Sequence, residues 1–488
     1  MEIKKEKIIL LLLFVLAFGF RLLFLFRVNF FSSDEAYFNL RHTKYIVENF
    51  FPLLFDPQSY GGNIILNTHV FHYFLALFDW VLPDAIVYKI VPCLLASSIV
   101  IIVYFLAKKI TNNEYAALFG ALLSAFIPSY IGATLNQISL TSLFIPVFLL
   151  TLYFFIEIRQ KKTGFLILGV ILVLLDPLNL LMLFSFLFFA LLMFAESLHV
   201  ERDEKEAIGM FIVFFLLANL ILFKQLYLEQ SLAAVWQNLP LELYGSLFQN
   251  FDLLGTITLI GIVPLVLGIT GFMIYREKNR VITLFSAILM ADFTLLLLRL
   301  IPFEEGVLFL AIILCITASF TMDQLTQYIR LTKMARYERL ILGGLLIGTV
   351  ISLVIPSTSI ATDVIHSGVQ AEEIEALHWI KFNTPRASVV VGNAYEGNLI
   401  IAIADRTNVI DTQFFHADNR ILDVETIFTT ESLIKAKRAL DQYGVDYIYF
   451  SQKTQELYGV EELIYTRDEA CFEEVFKNEF ATIYQVVC

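Results

Sequence analysis

Ser32-Ser33-Asp34-Glu35-Ala36-Tyr37 opens a long polar stretch, Asn29 to Asp84, wedged between strongly apolar runs. Ser32 followed three residues later by Glu35 reads as a capping box at the foot of an amphipathic helix. Asp34 then sits at the positive end of that helix. If the helix runs to Asn49, the seven-residue steps Asp34, Arg41 and Glu48 place three charged groups on one face. Tyr37, Leu40, Val47 and Phe51 then form an apolar stripe beside them. Such a helix lies on a membrane surface. Beyond it come Asp56-Pro57, the turn Tyr60-Gly61-Gly62-Asn63, and Thr68-His69-Val70-Phe71-His72-Tyr73, which enters another apolar segment. A connection this long is functional or disordered, and its aromatic content argues against disorder.

The surrounding chain explains why a polar stretch matters. Of 488 residues 58% are hydrophobic, 15% aromatic and only 16% charged, and several runs are long enough to cross a bilayer. This is the composition of a polytopic α-helical membrane protein. The net charge of -12 is concentrated at one end: from Ser357 onward 21 acids face 10 bases, a net of -11. The membrane body is therefore nearly neutral. No basic, aromatic surface suited to nucleic acid is present in the sequence, so no nucleic-acid partner is expected.

Lys4, Lys5 and Lys7 precede the apolar run Ile8 to Phe26, roughly 28 Å of helix. A cleaved signal peptide is the alternative reading. The run is long for one, contains Arg21 and lacks a small-x-small exit, so it is expected to stay as a first span. Further spans are expected at Ile86 to Ala107, Tyr115 to Ile131, Ser139 to Ile156, Gly164 to Leu180, Leu181 to Ser197, Ala207 to Phe223, Leu253 to Tyr275, Val281 to Leu300, Val307 to Met322 and Leu340 to Ile355. That makes eleven, although two short spans around Asp176-Pro177 could be one broken hairpin.

Threaded from a cytoplasmic N-terminus, the spans leave Lys108-Lys109, Arg159/Lys161/Lys162, Arg202/Lys205, Arg276/Lys278/Arg280 and Arg330/Lys333/Arg336/Arg339 inside, as the positive-inside rule requires. Outside fall the first loop (29–84), the loop Lys224 to Asp252, the turn Pro302 to Gly306, and everything after Pro356. His69 to Leu82 is too short to span and reads as a helix at the outer interface. The organisation expected is a plasma-membrane domain, 1–356, followed by an extracytoplasmic domain, 357–488.

From Gln370 the texture is that of a small soluble α/β domain. Glu372 to Phe382 reads as a helix ending near Thr384-Pro385, followed by the β run Ser388 to Gly392. Leu399 to Ala404, a helix from about Ser432 to Tyr443, the strand Tyr447 to Phe450 and a last strand Thr482 to Val487 continue the alternation. Cys471 and Cys488 lie in this tail and could pair in an oxidising space, whereas Cys93 and Cys315 lie within spans. The tail carries neither a Gly-rich phosphate loop nor metal-ligand spacing.

Three outer elements then gather chemistry: the first loop with Asp34-Glu35, the loop Lys224 to Asp252, and span ends bearing Lys89 and Arg299. An acid at a helix start can take a proton from an attacking hydroxyl or amide while bases hold a phosphate leaving group. Blander readings stand beside these. Asp34 can simply cap its helix, and Arg299 can mark the membrane boundary by snorkelling. His69 and His72 are three apart and could be ligands, but two histidines without a third ligand usually serve packing or hydrogen bonding.

On these residues the chain resembles the GT-C class of polyprenyl-phosphate-dependent glycosyltransferases. Asp34-Glu35-Ala36-Tyr37 in a long first loop, after a span containing Arg21, resembles protein O-mannosyltransferases and aminoarabinose transferases. Asn39-Leu40-Arg41 with Asp56-Pro57-Gln58-Ser59-Tyr60-Gly61-Gly62 resembles archaeal oligosaccharyltransferase catalytic subunits. In the tail, Ala376-Leu377-His378-Trp379-Ile380-Lys381-Phe382-Asn383-Thr384-Pro385 is similar to the opening of the outer domains of such proteins.

The resemblance implies an inverting sugar transfer from a dolichyl or undecaprenyl phosphate to an acceptor of unspecified kind. Asp34 would be the catalytic carboxylate that binds or deprotonates the acceptor, with Glu35, Arg41 and Asp56 supporting acceptor or loop. The resemblance would place His69 near the donor phosphate, where Lys89 and Arg299, read from their positions at span ends, would join it. Two departures bear on this. The second outer loop carries Leu135-Asn136-Gln137 where oligosaccharyltransferases carry a metal-binding acidic pair, and the tail lacks the Trp-Trp-Asp acceptor motif. Both argue against N-glycosylation of sequons, and a divalent metal is left without its usual ligands. The competing expectation is a non-catalytic membrane protein that binds or transports a lipid-linked saccharide. Against a transporter, Arg21, Lys89, Asp292 and Arg299 are few, and several lie near span ends.

Overall fold

The computed structural model describes residues 5–66, 68–176, 180–231, 252–274, 280–417 and 419–488. Most of the loop Lys224 to Asp252 lies outside them, as do Lys4, Pro177, Arg276 and Lys278. The chain divides into two compact units. One holds the helices before Arg27 and those from Pro83 to His366; the other joins Val28–Leu82 to Ser367–Cys488.

The helical unit begins with α1 (Lys5–Leu25). Among the described residues six helices are long and apolar enough to cross a membrane: α1, Ala85–Thr111, Arg202–Leu222, Arg280–Leu297, Phe303–Leu331 and the run that starts at Lys333. The count rises to eight if each of two bent pairs is one span. The protein is thus a multi-pass helical membrane protein. Both bends have local causes. The segment expected as one span from Tyr115 breaks between Glu114–Ala125 and Pro128–Thr134 at 49°. Pro128 cannot donate to the preceding turn and pushes Ile127 into extended backbone. Leu253–Ile260 and Ile262–Ile274 meet at 83° across Gly261, whose φ is 91°. The expected spans from Ser139 and Leu181 become helices of 16 and 15 residues.

Phe303–Leu331 is the axis of this unit, with 89% of its apolar window buried. Ile262–Ile274 packs on it backbone to backbone. A Cβ added at Gly271 would lie 2.4 Å from the Thr317 carbonyl oxygen, and one at Gly268 would lie 2.8 Å from that of Leu314. Thr321 Oγ1 donates across this seam to the Leu267 carbonyl at 2.6 Å. Small residues and a hydroxyl bridge are how helices associate where no water drives them together. Arg21, buried in α1, donates to Thr134 Oγ1 at 2.7 Å and lies 5.2 Å from the Tyr130 ring centroid.

The second unit is built on a five-stranded mixed sheet of order β4-β3-β5-β7-β6, where β3 is Val389–Val391, β4 Thr407–Asn408, β5 Tyr447–Ser451, β6 Phe472–Lys477 and β7 Ala481–Val486. The strands β3, β4 and β5 run parallel, while β7 is antiparallel to both β5 and β6. A disulfide joins Cys471 to Cys488 at the β6–β7 end. Alternate residues of β5 enter different cores: Ile448 and Phe450 one, Tyr447 and Tyr449 the other. Leu399 to Ala404 is helical, continuing a short helix from Gly397.

Three elements of the first loop belong to this unit. They are α2 (Asp34–Asn49), the hairpin β1 (Phe55–Asp56) with β2 (Asn63–Ile64), and α3 (Val70–Asp79). Tyr37 of α2 is part of one core of the sheet and Tyr60 of the hairpin turn part of the other. The loop is therefore built into the tail's folding unit.

Candidate active site

The helix that carries Asp34 starts at Ser33, whose Oγ accepts from the Ala36 amide at 3.3 Å. The cap is thus Ser33 and not Ser32, the residue expected to form a capping box with Glu35. With Ser33 as the cap, the reciprocating acid would have to stand at position 36, which is alanine. Glu35 accepts from Asn39 Nδ2, one turn on, at 3.3 Å. The buried face of α2 also differs from the expected stripe. It carries Ala36, Tyr37, Phe38, Asn39, His42, Thr43 and Ile46, while Leu40 and Val47 are half-buried and Phe51, beyond the helix, is exposed.

Asp34 reaches into the tail. Its Oδ1 accepts from the Leu399 amide at 2.8 Å, and its Oδ2 accepts from Asn398 Nδ2 at 2.7 Å and from the Asn398 amide at 3.4 Å. Asn398 and Leu399 are in the first turn of the helix from Gly397, which has no side-chain cap of its own. Asp34 supplies that cap from a distant part of the chain. The residue keeps part of its surface accessible, yet its carboxyl group is enclosed by protein. Desolvation pushes its pKa up to about 7, outweighing the Asn398 and Leu399 donors that pull it down. A carboxylate has about four lone-pair directions, and three donors leave one open. The result is a carboxyl group near its midpoint at neutral pH with capacity for one more hydrogen bond.

The hairpin seats the same loop on the tail. Arg41 forms a forked ion pair with the buried Asp56, one arm at 2.8 Å, and donates to Gln58 Oε1 at 2.8 Å. Gln58 Nε2 donates to Asp405 Oδ1 at 2.8 Å. Ser59 Oγ donates to Asp411 Oδ2 at 2.7 Å, and the Tyr60 hydroxyl to the Asp411 carbonyl at 2.9 Å. Arg41 and Asp56 thus hold the loop. The tail residues Asn398, Leu399, Asp405 and Asp411 were not among the expected site residues, because nothing local in the sequence marks a partner hundreds of positions away.

His69 stands at the N-terminal boundary of α3, without a side-chain capping bond, and is buried, as are His72 and His42. Burial lowers the His69 pKa to about 4, so at neutral pH its ring brings no positive charge to a phosphate. Lys89 and Arg299 belong to the helical unit. Lys89 is half-buried in the π-helical turn Ala85–Ile90, and Arg299 is exposed with φ 55° just past the helix Arg280–Leu297. Asn136 and Gln137 carry amides, not carboxylates, and Gln137 Nε2 donates to the Gly132 carbonyl at 3.1 Å. A pair of neutral amides does not fit a divalent metal of the kind an acidic pair holds. A groove of about 890 Å³ on the tail, lined in part by Glu461, Glu473, Glu474 and Lys477, contains none of the expected site residues.

No family model and no curated protein matches the chain. Solved structures do. The apo oligosaccharyltransferase of Archaeoglobus fulgidus is similar at TM-score 0.66 and 12% identity, over 94% of this chain and 72% of that one. AglB of the same organism, in complex with an inhibitory peptide and a dolichol-phosphate, matches at TM-score 0.66 and 14% identity over 92% and 69%. ArnT from Cupriavidus metallidurans bound to undecaprenyl phosphate matches at TM-score 0.53 and 10% identity over 97% and 98%. At these identities the likeness establishes the fold: this chain has the GT-C fold shared by an archaeal oligosaccharyltransferase and the ArnT glycosyltransferase.

Proposed function

We propose that the protein is an inverting glycosyltransferase that moves a sugar from a polyprenyl phosphate to an acceptor on the outer face of the membrane, with Asp34 as the catalytic base. The acceptor nucleophile attacks the anomeric carbon, the carbon–oxygen bond to phosphate breaks with its electron pair leaving on the lipid phosphate, and the acceptor proton passes to Asp34. The observation that carries this reading is Asp34, a partly accessible residue whose enclosed carboxyl group is pushed up to about 7 and held by three tail donors. A base is most effective when its pKa lies near the working pH. The lipid-phosphate ligands of the similar solved structures support the donor class.

Lys89 and Arg299 are each proposed as contacts for a lipid phosphate. Eleven spans, a cytoplasmic N-terminus and an extracytoplasmic α/β tail complete the proposal, in keeping with the Cys471–Cys488 disulfide. External protease should remove a tag at Cys488 from intact cells; protection of that tag would overturn the topology.

A second reading has its own observation. Both oxygens of Asp34 are engaged by the tail, as they would be if it only braced the fold of a protein that binds a lipid-linked saccharide without transferring it. Asp34→Asn separates the two. A base is worth roughly 10²–10⁴-fold in rate, so the variant should lose about that much transfer from a labelled lipid-linked sugar pool while still binding the pool. Glu35→Gln should lose little. Undiminished transfer by a folded Asp34→Asn protein would leave the binding reading standing.

A further inference from the structure

His69 and His72 lacked a third partner in the sequence, and the fold supplies one. His42, on the buried face of α2, has its ring centroid 5.7 Å from that of His69 and 5.4 Å from that of His72, and His69 and His72 are 5.3 Å apart. The three residues retain 0%, 8% and 3% of their surface for His42, His69 and His72. Both nitrogens of His42, both of His69 and Nδ1 of His72 are buried without a hydrogen-bond partner. An unpaired buried polar nitrogen is costly, and five of them on three neighbouring rings call for an occupant.

We propose that His42, His69 and His72 form a binding site for a divalent transition metal of the zinc class. A point equidistant from centroids spaced 5.3–5.7 Å apart lies about 3.2 Å from each, which matches a metal–nitrogen bond of about 2.0–2.1 Å added to the half-width of an imidazole ring. Among the described residues no group of three or more His, Cys, Asp or Glu side chains stands, in its present rotamers, where it could hold a metal ion. Turning a ring about its Cβ–Cγ bond, a soft two-fold torsion, swings the nitrogens while leaving the centroid nearly in place. The centroid triangle is therefore the quantity that binding preserves, and it has the required size.

The surroundings also suit a metal. His72 Nε2 lies 2.8 Å from Asn39 Oδ1, and Asn39 Nδ2 donates to Glu35 Oε1. A ligating histidine ordinarily gives its other ring N–H to such an acceptor, which fixes the tautomer and frees Nδ1 for the metal. Imidazole nitrogens select zinc-class ions over calcium or magnesium, which prefer oxygen. The site would pin α2 to α3, which are also joined by the Lys44–Asp79 ion pair at 3.2 Å. Asp34 stands two helical turns away and contributes no ligand. This assignment takes His69 for the metal and does not rest on glycosyl transfer.

The test uses the full chain in detergent, purified without a polyhistidine tag, stripped with chelator and titrated with Co2+ alone and with Zn2+ alone. One equivalent of Co2+ should bind with the visible bands of a four-coordinate, nitrogen-ligated ion, and Zn2+ should displace it and raise the unfolding temperature. His42→Gln and His69→Gln should each weaken binding at least about tenfold, and Asn39→Ala about tenfold through His72. His378→Gln, an exposed residue of the tail helix, should bind as the parent does. No Co2+ bands and no Zn2+-dependent stabilisation in the parent protein would overturn the site whatever the variants do. Binding that survives His42→Gln would overturn it equally.

Discussion

Removing the side-chain amide that faces Asp34, in Asn398→Ala, tests whether that carboxyl group reacts or only braces. The Asn398 amide donates to Oδ2 at 2.7 Å and is the largest influence holding the Asp34 pKa down against burial. A hydrogen bond to a charged group is worth about 1.5–3 kcal/mol, and 1.36 kcal/mol is one pH unit. The pKa should therefore rise from about 7 by roughly one to two units. A base must be ionised to work, so transfer in the parent protein should rise with pH through about 7. In the variant that limb should move up by the same one to two units while the alkaline plateau changes little.

Stability runs the other way. The folded pKa lies above the unfolded value of 3.8, so the native state favours the protonated acid; that contribution is complete below 3.8 and is lost as pH rises through about 7. The assay is transfer of labelled sugar from a lipid-linked pool by purified protein from about pH 5 to 9, with an unfolding scan at each pH. A variant that loses plateau activity and unfolding temperature together, with no movement of the limb, would refute the catalytic reasoning and favour the brace.

Arg41→Met should cost about 3–5 kcal/mol, because Asp56 would be left buried and unpaired. Denaturant unfolding of Arg41→Met beside Arg41→Met/Asp56→Leu checks this, the double variant being the milder. Gly271→Leu should break the packing of Ile262–Ile274 on Phe303–Leu331, since even a Cβ there would sit 2.4 Å from a carbonyl oxygen. Gly344→Ala, with nothing within 4 Å, should instead gain up to about 1 kcal/mol, and size-exclusion with thermal unfolding separates the two cases. Arg299 has φ 55°, so Arg299→Gly should relieve about 1 kcal/mol of backbone strain. If its guanidinium holds phosphate, Arg299→Gly and Arg299→Leu should both weaken retention of polyprenyl phosphate, and unchanged retention would reduce Arg299 to a boundary residue.

What could be read in advance followed from local pattern, and what could not depended on contacts made at long range. The helix at Asp34 ends at Asn49, as its amphipathic run suggested, and the tail helix Ala371–Asn383 stops just short of Thr384-Pro385. Span lengths were legible where apolar runs were unbroken, as in α1, and illegible where one residue bends the run, as at Gly261 and ahead of Pro128. The cap of α2 was misplaced by one serine. Ser32 and Ser33 are chemically identical, and only the backbone angles of Ser33 make it the acceptor.

The buried face of α2 misled for a deeper reason. Hydrophobic patterning finds a face buried by apolar side chains, whereas this one carries Asn39, His42 and Thr43 inward. Polar groups go inside only when something there compensates them. For Asn39 that something is His72, 33 positions on; for Asp34 it is Asn398, 364 positions on. No window of sequence spans such a distance, so the residue types were visible while their partners were not. The same logic explains why the candidate chemistry lies where patterning failed. A helix buried for stability alone would turn Leu40 and Val47 to its core. One that presents Asp34 to a cap in the tail and His42 to two other histidines gives up that burial, and the unpaired nitrogens beside His42 are what remains to be compensated.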